Sequence, residues 1–112
     1  MKNLQGSLLE IRIVYESKND PLHISRILKD ELTKNDVYIE DFLTDIIETK
    51  NVTIAVINSL IIIQRDISKT FNESLNDKKQ AIDEIKKIMN IIRSIVKIKN
   101  IEYKYIITKK VM

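Results

Sequence analysis

The chain has 112 residues, of which 44% are hydrophobic and 31% are charged, and its formal net charge is +3. That length suits one domain, residues 1–112, and the apolar content is too high for a disordered chain. With one glycine, one proline and no cysteine, the sequence excludes disulfides and thiolate metal sites, and it disfavours all-β folds, which need many turns.

Two elements are predicted in the first third of the chain. Residues 9–16 alternate apolar and polar side chains, which is typical of a strand with one buried face. Asp20 and Pro21 then form a helix start, because Asp accepts a hydrogen bond from a first-turn amide and Pro is tolerated at the first helical position. The helix is expected to run to about Lys34. Its buried stripe comprises Ile24, Ile27, Leu28 and Leu32.

The segment from Val37 to Lys50 allows two interpretations. Its apolar spacing holds for three helical turns and favours a helix, whereas residues 37–39 alternatively form a short strand before a helix that begins near Glu40. Either helix would carry several carboxylates, and oxygen-rich clusters can hold Mg²⁺ or act in acid and base catalysis. No metal-binding motif accompanies them, so we expect a solvated face and no metal. These carboxylates are Glu40, Asp41, Asp45 and Glu48.

Residues 51–75 are predicted to form a central helix, because apolar side chains recur along them at helical spacing. The stretch from Val52 to Ile57 is rich in β-branched residues and would predict a strand if taken alone. The most hydrophobic run, residues 52–63, is too short to span a bilayer, which needs about 20 apolar residues. We therefore expect a buried helix and no association with a membrane.

A last long helix is predicted from about Asn76, since apolar residues between Ile82 and Val96 recur in steps of three and four. Renewed alternation over residues 101–108 predicts a second strand. The expected fold class is therefore α+β and mainly α. It is a bundle of three to four helices, flanked by an N-terminal and a C-terminal strand that pair within the chain or across a dimer.

Basic residues are concentrated near the C-terminal end of the chain. Residues 77–112 carry ten Lys or Arg against four Asp or Glu, whereas residues 1–76 carry nine against twelve. Along the last helix basic residues recur seven positions apart, and such a stripe would neutralise phosphates of DNA or RNA. No nucleic-acid-binding motif accompanies them. A nucleic-acid-binding regulator is thus the alternative function, with Lys79, Lys86, Arg93 and Lys97 as its contacts.

The sequence contains more apolar surface than the predicted bundle needs. The apolar face of the last helix is broader than packing against one neighbour requires, and Ile62 falls on the polar side of the predicted central helix. Self-association would bury both surfaces, so we expect a homodimer. The predicted self-association contacts are Ile62, Ile88, Ile91 and Ile95.

Side chains suited to catalysis are few. His23 is the only histidine, and neither a nucleophile motif nor a glycine-rich phosphate loop is present. We expect no enzymatic activity, no cofactor and no small-molecule substrate. The leading prediction is a non-enzymatic protein-interaction module, acting as an adaptor, regulator or inhibitor of bacterial, phage or mobile-element origin. The lack of cysteine and of an export signal favours a cytoplasmic location.

Overall fold

The computed structural model of the chain describes residues 3–66 and 75–111, and the side chains of residues 8–66 and 79–104. In these residues the fold has two layers, a six-stranded antiparallel sheet and a pair of helices. The elements in chain order are β1 (Asn3–Glu16), α1 (Pro21–Lys34), β2 (Ile39–Leu43), β3 (Ile46–Thr49), β4 (Val52–Ile57), β5 (Leu60–Asp66), α2 (Leu75–Ile95) and β6 (Lys97–Val111). The strands lie across the sheet in the order β2-β3-β4-β5-β1-β6.

The predicted terminal strands are present, and they pair with each other within the chain. β1 and β6 run antiparallel along almost their whole length, from Asn3 opposite Val111 to Glu16 opposite Lys97. On the apolar side of the predicted first strand, Ile11 and Ile13 are fully buried and Tyr15 is 5% exposed. The strands at the two ends of the sequence therefore lie side by side at one edge of the sheet.

Helix α1 has the predicted bounds and the predicted buried side. The Asp20 carboxylate accepts a hydrogen bond from the backbone amide of His23 at 2.9 Å, which satisfies one of the free amides of the first turn. Ile24, Leu28 and Leu32 are completely buried. The capping residue and the apolar spacing thus suffice to define this helix.

Helix α2 is the predicted last helix, and it begins at Leu75. Ile88 and Ile92 are buried against the sheet, as the spacing predicts. Arg93 in the last turn interacts favourably with the negative end of the helix dipole. Within the described residues, neither helix combines the length and the apolar composition that crossing a bilayer requires.

The predicted bundle of three to four helices is wrong, and the middle of the chain is the reason. Neither the helix over residues 37–50 nor the alternative helix from Glu40 is present, because β2 and β3 occupy this segment. The predicted central helix is replaced by the hairpin of β4 and β5 as far as Asp66, and its remainder at 67–74 lies outside the described residues. Thr44 and Asn58 adopt left-handed φ angles of 32° and 52° at two of the three hairpin turns, those between β2 and β3 and between β4 and β5. The chain therefore makes tight turns without glycine.

Both helices pack on the same face of the sheet, so the core lies between the two layers. Along β4 and β5 buried residues alternate with less buried ones, as expected for strands with one covered face. No described element covers the other face of the sheet. The most buried apolar side chains of the core are Ile11, Ile13, Ile24, Leu28, Leu32, Ile47, Ile54, Ile61, Ile63, Ile88 and Ile92.

Candidate interaction surfaces

The face of the sheet that points away from the helices, here called the open face, carries a continuous group of apolar side chains. One row crosses three strands, with Ile46 opposite Ala55 and Ala55 opposite Ile62. A second row crosses β4, β5 and β1 beside it. Together these side chains form what we call the apolar patch, which consists of Val14, Leu43, Ile46, Ala55, Ile57, Leu60 and Ile62.

Several members of the apolar patch are well exposed. Leu43 is 60% exposed, Ile57 is 47% exposed and Val14 is 40% exposed. Scattered apolar side chains are normal on protein surfaces, but a contiguous group indicates an interaction surface. The apolar patch is therefore the first candidate site.

A buried charge cluster borders the apolar patch on the open face. The Glu10 side chain accepts hydrogen bonds from Nε2 of Gln64 at 2.7 Å and from Nε of Arg12 at 2.9 Å, and the residue is only 5% exposed. The Gln64 bond lowers the pKa of Glu10, burial opposes this effect, and the Arg12 bond together with the charges of Arg12 and Lys104 reinforces it. Glu10 is therefore ionised at neutral pH and fixed in place.

A groove on the other face of the sheet separates α2 from β6. Its volume is about 480 Å³, and its walls come from α2, β1 and β6. Tyr103 is 63% exposed and Ile82 is 54% exposed there, so apolar surface remains open at this end of the helical layer. The groove is lined by Leu9, Ile11, Ile82, Ile85, Lys86, Met89, Asn90, Arg93 and Tyr103.

The four basic residues predicted as nucleic-acid contacts are all exposed, but only two of them line the groove. Lys86 and Arg93 lie on its α2 side. Lys79 is one further step of seven residues towards the start of α2, and Lys97 is the first residue of β6. The predicted stripe of Lys79, Lys86 and Arg93 thus exists on a continuous helix, whereas Lys97 follows its end.

The four predicted self-association contacts occupy different environments. Ile88 and Ile91 are buried in the core of the single chain, with exposures of 1% and 7%, and Ile95 packs partly against that core. The broad apolar side of α2 is thus covered by the sheet and by α1. Ile62 lies on β5 rather than on a helix, and it belongs to the apolar patch. Of the four residues, Ile62 alone faces outward from the sheet.

The carboxylates considered above as metal ligands do not share a helix face. Glu40 and Asp41 lie on β2, Asp45 lies in the turn and Glu48 lies on β3, with Asp41 opposite Glu48. In the described part of the chain no three His, Cys, Asp or Glu side chains are grouped so that they could hold a metal ion. His23 is exposed in the first turn of α1.

Sequence reasoning missed the charge cluster and the groove. Glu10 and Arg12 lie on the polar side of the predicted first strand. Their partner Gln64 was predicted to lie on a helix, so the sequence did not indicate that its side chain contacts Glu10. The β-branched stretch from Val52 to Ile57 was the available signal for a strand in this region, but residues 60–66 show no alternation, because Ile61, Ile62 and Ile63 are consecutive. The groove exists because α2 and β6 lie apart, and the residue pattern within one element does not predict the distance between two elements.

Comparisons of the chain with protein-family models, with curated proteins and with solved structures find no match.

Proposed function

We propose that the chain is a non-enzymatic protein-interaction module that forms a homodimer through the open face of its sheet. One observation carries the proposal: the helices cover only one side of the sheet, and the other side bears the apolar patch. A sheet gains stability by burying both faces when both are apolar. A second copy of the chain supplies the missing cover.

The size of the open face supports a dimer. The apolar patch reaches across five strands, which are about 4.8 Å apart, so it is about 20 Å wide. β4 and β5 have six and seven residues and are therefore about 20 Å long. The projected area of this part of the open face, with its apolar and polar residues together, is about 400 Å². Projecting side chains make its accessible area larger, and the smallest stable interfaces bury roughly 600 Å² per partner.

The charges around the apolar patch support self-pairing rather than a strongly charged partner. Arg12 lies opposite Glu102 on the neighbouring strand β6, Lys104 lies two residues further along β6, and Glu48 lies on β3 on the same open face, so both signs are represented. A twofold axis places the same surface on both sides of an interface. When charges of both signs surround the apolar patch, positive groups of one copy can pair with negative groups of the other. Charges of a single sign around the patch would repel one another.

The edges of the sheet favour association through the face. Edge strand β6 carries Lys97, Lys99 and Lys104, and lysines on edge strands disfavour pairing with another strand. The opposite edge, β2, is short and has an irregular register between Ile39 and Asp41. Edge pairing is therefore disfavoured at both ends of the sheet.

Molar mass in solution tests the proposal. The wild-type chain should be a dimer at about 100 µM by light scattering, and Ile57→Glu combined with Leu43→Glu should be monomeric because it buries charge in the interface. Leu22→Glu is the matched control, since Leu22 is 50% exposed on α1, far from the open face. All variants should keep their far-ultraviolet circular dichroism. A monomeric wild type, or a control that dissociates as readily, would overturn the proposal.

The alternative function is a nucleic-acid-binding regulator, and the exposed stripe of Lys79, Lys86 and Arg93 favours it. Asp83 on the same helix opposes it, because a carboxylate repels phosphates. Binding to generic duplex DNA that weakens steeply with salt and is lost on Lys86→Glu with Arg93→Glu would support this function. We also propose a cytoplasmic location, which the cysteine-free composition supports. The high isoleucine content and the excess of lysine over arginine support a bacterial, phage or mobile-element source.

A further inference from the structure

We propose that the groove between α2 and β6 binds an acidic amphipathic helix of a partner protein. This site is separate from the open face, and the inference does not depend on the dimer. The bound helix would lie beside α2 on the same side of the sheet. It would complete the helical layer.

The width of the two layers explains why the groove exists. Six strands about 4.8 Å apart extend over about 24 Å between the outermost strands, while two helices about 10 Å wide cover about 20 Å. α1 contacts β2, β3 and β4, and α2 packs beside α1. α2 therefore lies over β5 and β1, and the side of β6 that faces the helical layer is left uncovered by the described residues.

The shape and chemistry of the groove suit a helix with an apolar side. Its floor is formed by the partly exposed Leu9 of β1, and the buried side chains of Ile11 and Met89 adjoin it. Ile82 and Tyr103 stand on opposite sides and are more than half exposed. A helix that inserts apolar side chains between them would bury this surface, in the way that amphipathic helices occupy grooves in many complexes.

The charge of the groove selects an acidic helix. Lys86 and Arg93 line it seven residues apart, which places them about 10 Å apart along α2. Arg93 donates a hydrogen bond to the neutral side chain of Asn90 at 3.2 Å. Among the described residues, neither Lys86 nor Arg93 is paired with a carboxylate. Both charges are therefore available to carboxylates two turns apart on a neighbouring helix.

A helix fits these observations better than a nucleic acid does. Protein surfaces that bind nucleic acids are polar and strongly basic, because most of their contacts are with phosphates. Most side chains that line this groove are apolar, and only two of them carry charge. Apolar walls would desolvate phosphates without pairing them. An acidic helix therefore suits the groove better than duplex DNA does.

A designed peptide tests the proposal directly. The probe is a fluorescein-labelled peptide of about 18 residues, about 27 Å long as a helix, with leucines along one side and glutamates flanking them at seven-residue spacing. Fluorescence anisotropy should give saturable binding with a dissociation constant below about 100 µM. A peptide with the same composition in scrambled order should bind at least about tenfold more weakly, because its apolar residues do not share one side.

Charge exchange locates the bound peptide. Lys86→Glu combined with Arg93→Glu should weaken binding of the acidic peptide by at least about tenfold, and the same double variant should bind a version with lysine in place of glutamate. The matched control is Lys18→Glu with Lys87→Glu, two exposed residues that do not line the groove. It changes the net charge equally and should leave binding within about twofold.

Other occupants give different results. No saturation by the acidic peptide at about 1 mM, or equal weakening by the control pair, overturns the proposal. Tighter binding of duplex DNA than of the peptide, lost in the groove variant, assigns the groove to nucleic acid instead. If Ile82→Asp converts a wild-type dimer into a monomer, a second copy of the chain occupies the groove. Each of these last two results also overturns the partner-helix proposal, whereas a monomeric wild type bears on the dimer alone.

Discussion

The side-chain amide of Gln64 donates a hydrogen bond of 2.7 Å to the carboxylate of Glu10, although the two residues are 54 positions apart in the chain. The bond joins β1 to β5 in the middle of the sheet, on the face without helices. Arg12 donates a second bond to the same carboxylate at 2.9 Å. A charge that is 5% exposed is thus held by two donors, and the stability of the sheet depends on its ionisation.

Glu10 should make the chain less stable in acid. Its pKa in the fold is lowered from 4.5, chiefly by the Gln64 hydrogen bond. The unfolded chain therefore takes up a proton first as the pH falls, so the contribution of Glu10 is full above about pH 4.5 and is lost as the pH falls through the lowered pKa. Urea unfolding from neutral pH to about pH 3 should show this loss in the wild type and a smaller loss in Glu10→Gln.

At neutral pH, Glu10→Gln should itself lower the free energy of unfolding by about 1 to 3 kcal/mol, because two hydrogen bonds to a charged acceptor are weakened. Glu48→Gln is the matched control, since Glu48 is an exposed carboxylate on the same face. Its stability should stay within about 0.5 kcal/mol of the wild type. Equal acid sensitivity of the wild type and Glu10→Gln would contradict the assignment.

Tyr15 should limit stability at alkaline pH. Its hydroxyl donates to the carbonyl oxygen of Asn58 at 2.6 Å, and burial raises its pKa above 10.0 with a further contribution from the charge of Asp20. The folded chain therefore keeps the proton longer than the unfolded chain does. This contribution is full below about pH 10 and is lost as the pH rises through the raised pKa.

The near-ultraviolet absorbance of tyrosinate measures this directly. In a titration of the folded protein, Tyr15→Phe should remove a step that lies above the ordinary tyrosine range. Tyr38→Phe is the control, because Tyr38 is 77% exposed and lies on the loop before β2. An unchanged late step in Tyr15→Phe would show that Tyr15 does not titrate as its surroundings imply.

The sequence predicts those elements whose signals are local. α1 follows from the cap at Asp20 and from an apolar stripe with a single period, and α2 follows from apolar steps of three and four. The terminal strands follow from alternation in segments with one polar side. In each of these elements polar residues are concentrated on one side, so the period of the pattern indicates the conformation.

The predicted helices in the middle of the chain are wrong for two physical reasons. Ile61, Ile62 and Ile63 are consecutive because β5 is apolar on both faces, and this removes the alternation that identifies a strand. The turns also lack glycine, since Asn58 and Thr44 adopt left-handed angles in its place. The apolar outer side that conceals the strand is the same surface that carries the candidate interaction site. The apolar outer side of β5 therefore explains both the wrong helix prediction and the candidate interaction site.

The isoleucines of α2 should contribute to stability according to how deeply each is buried within the single chain. Ile88 is 1% exposed and Ile82 is 54% exposed, although both lie on the same helix. Ile88→Ala should lower the free energy of unfolding by about 2 to 5 kcal/mol through a cavity in the core. Ile82→Ala should change it by less than about 0.5 kcal/mol. Urea denaturation of both variants checks this, and similar costs at the two positions would be inconsistent with the packing of α2.

Asp20 links the start of α1 to the ionisation of Tyr15, and two substitutions separate its roles. Asp20→Ala removes the acceptor for the His23 amide and should cost about 1 kcal/mol of stability. Asp20→Asn keeps an acceptor at this position and should cost only a few tenths of a kcal/mol. Both substitutions remove the charge that helps to raise the pKa of Tyr15, so the late step in the tyrosinate titration should move to lower pH in both. If the step moves only in Asp20→Ala, loosening of the helix start explains it, and the charge of Asp20 does not act on Tyr15.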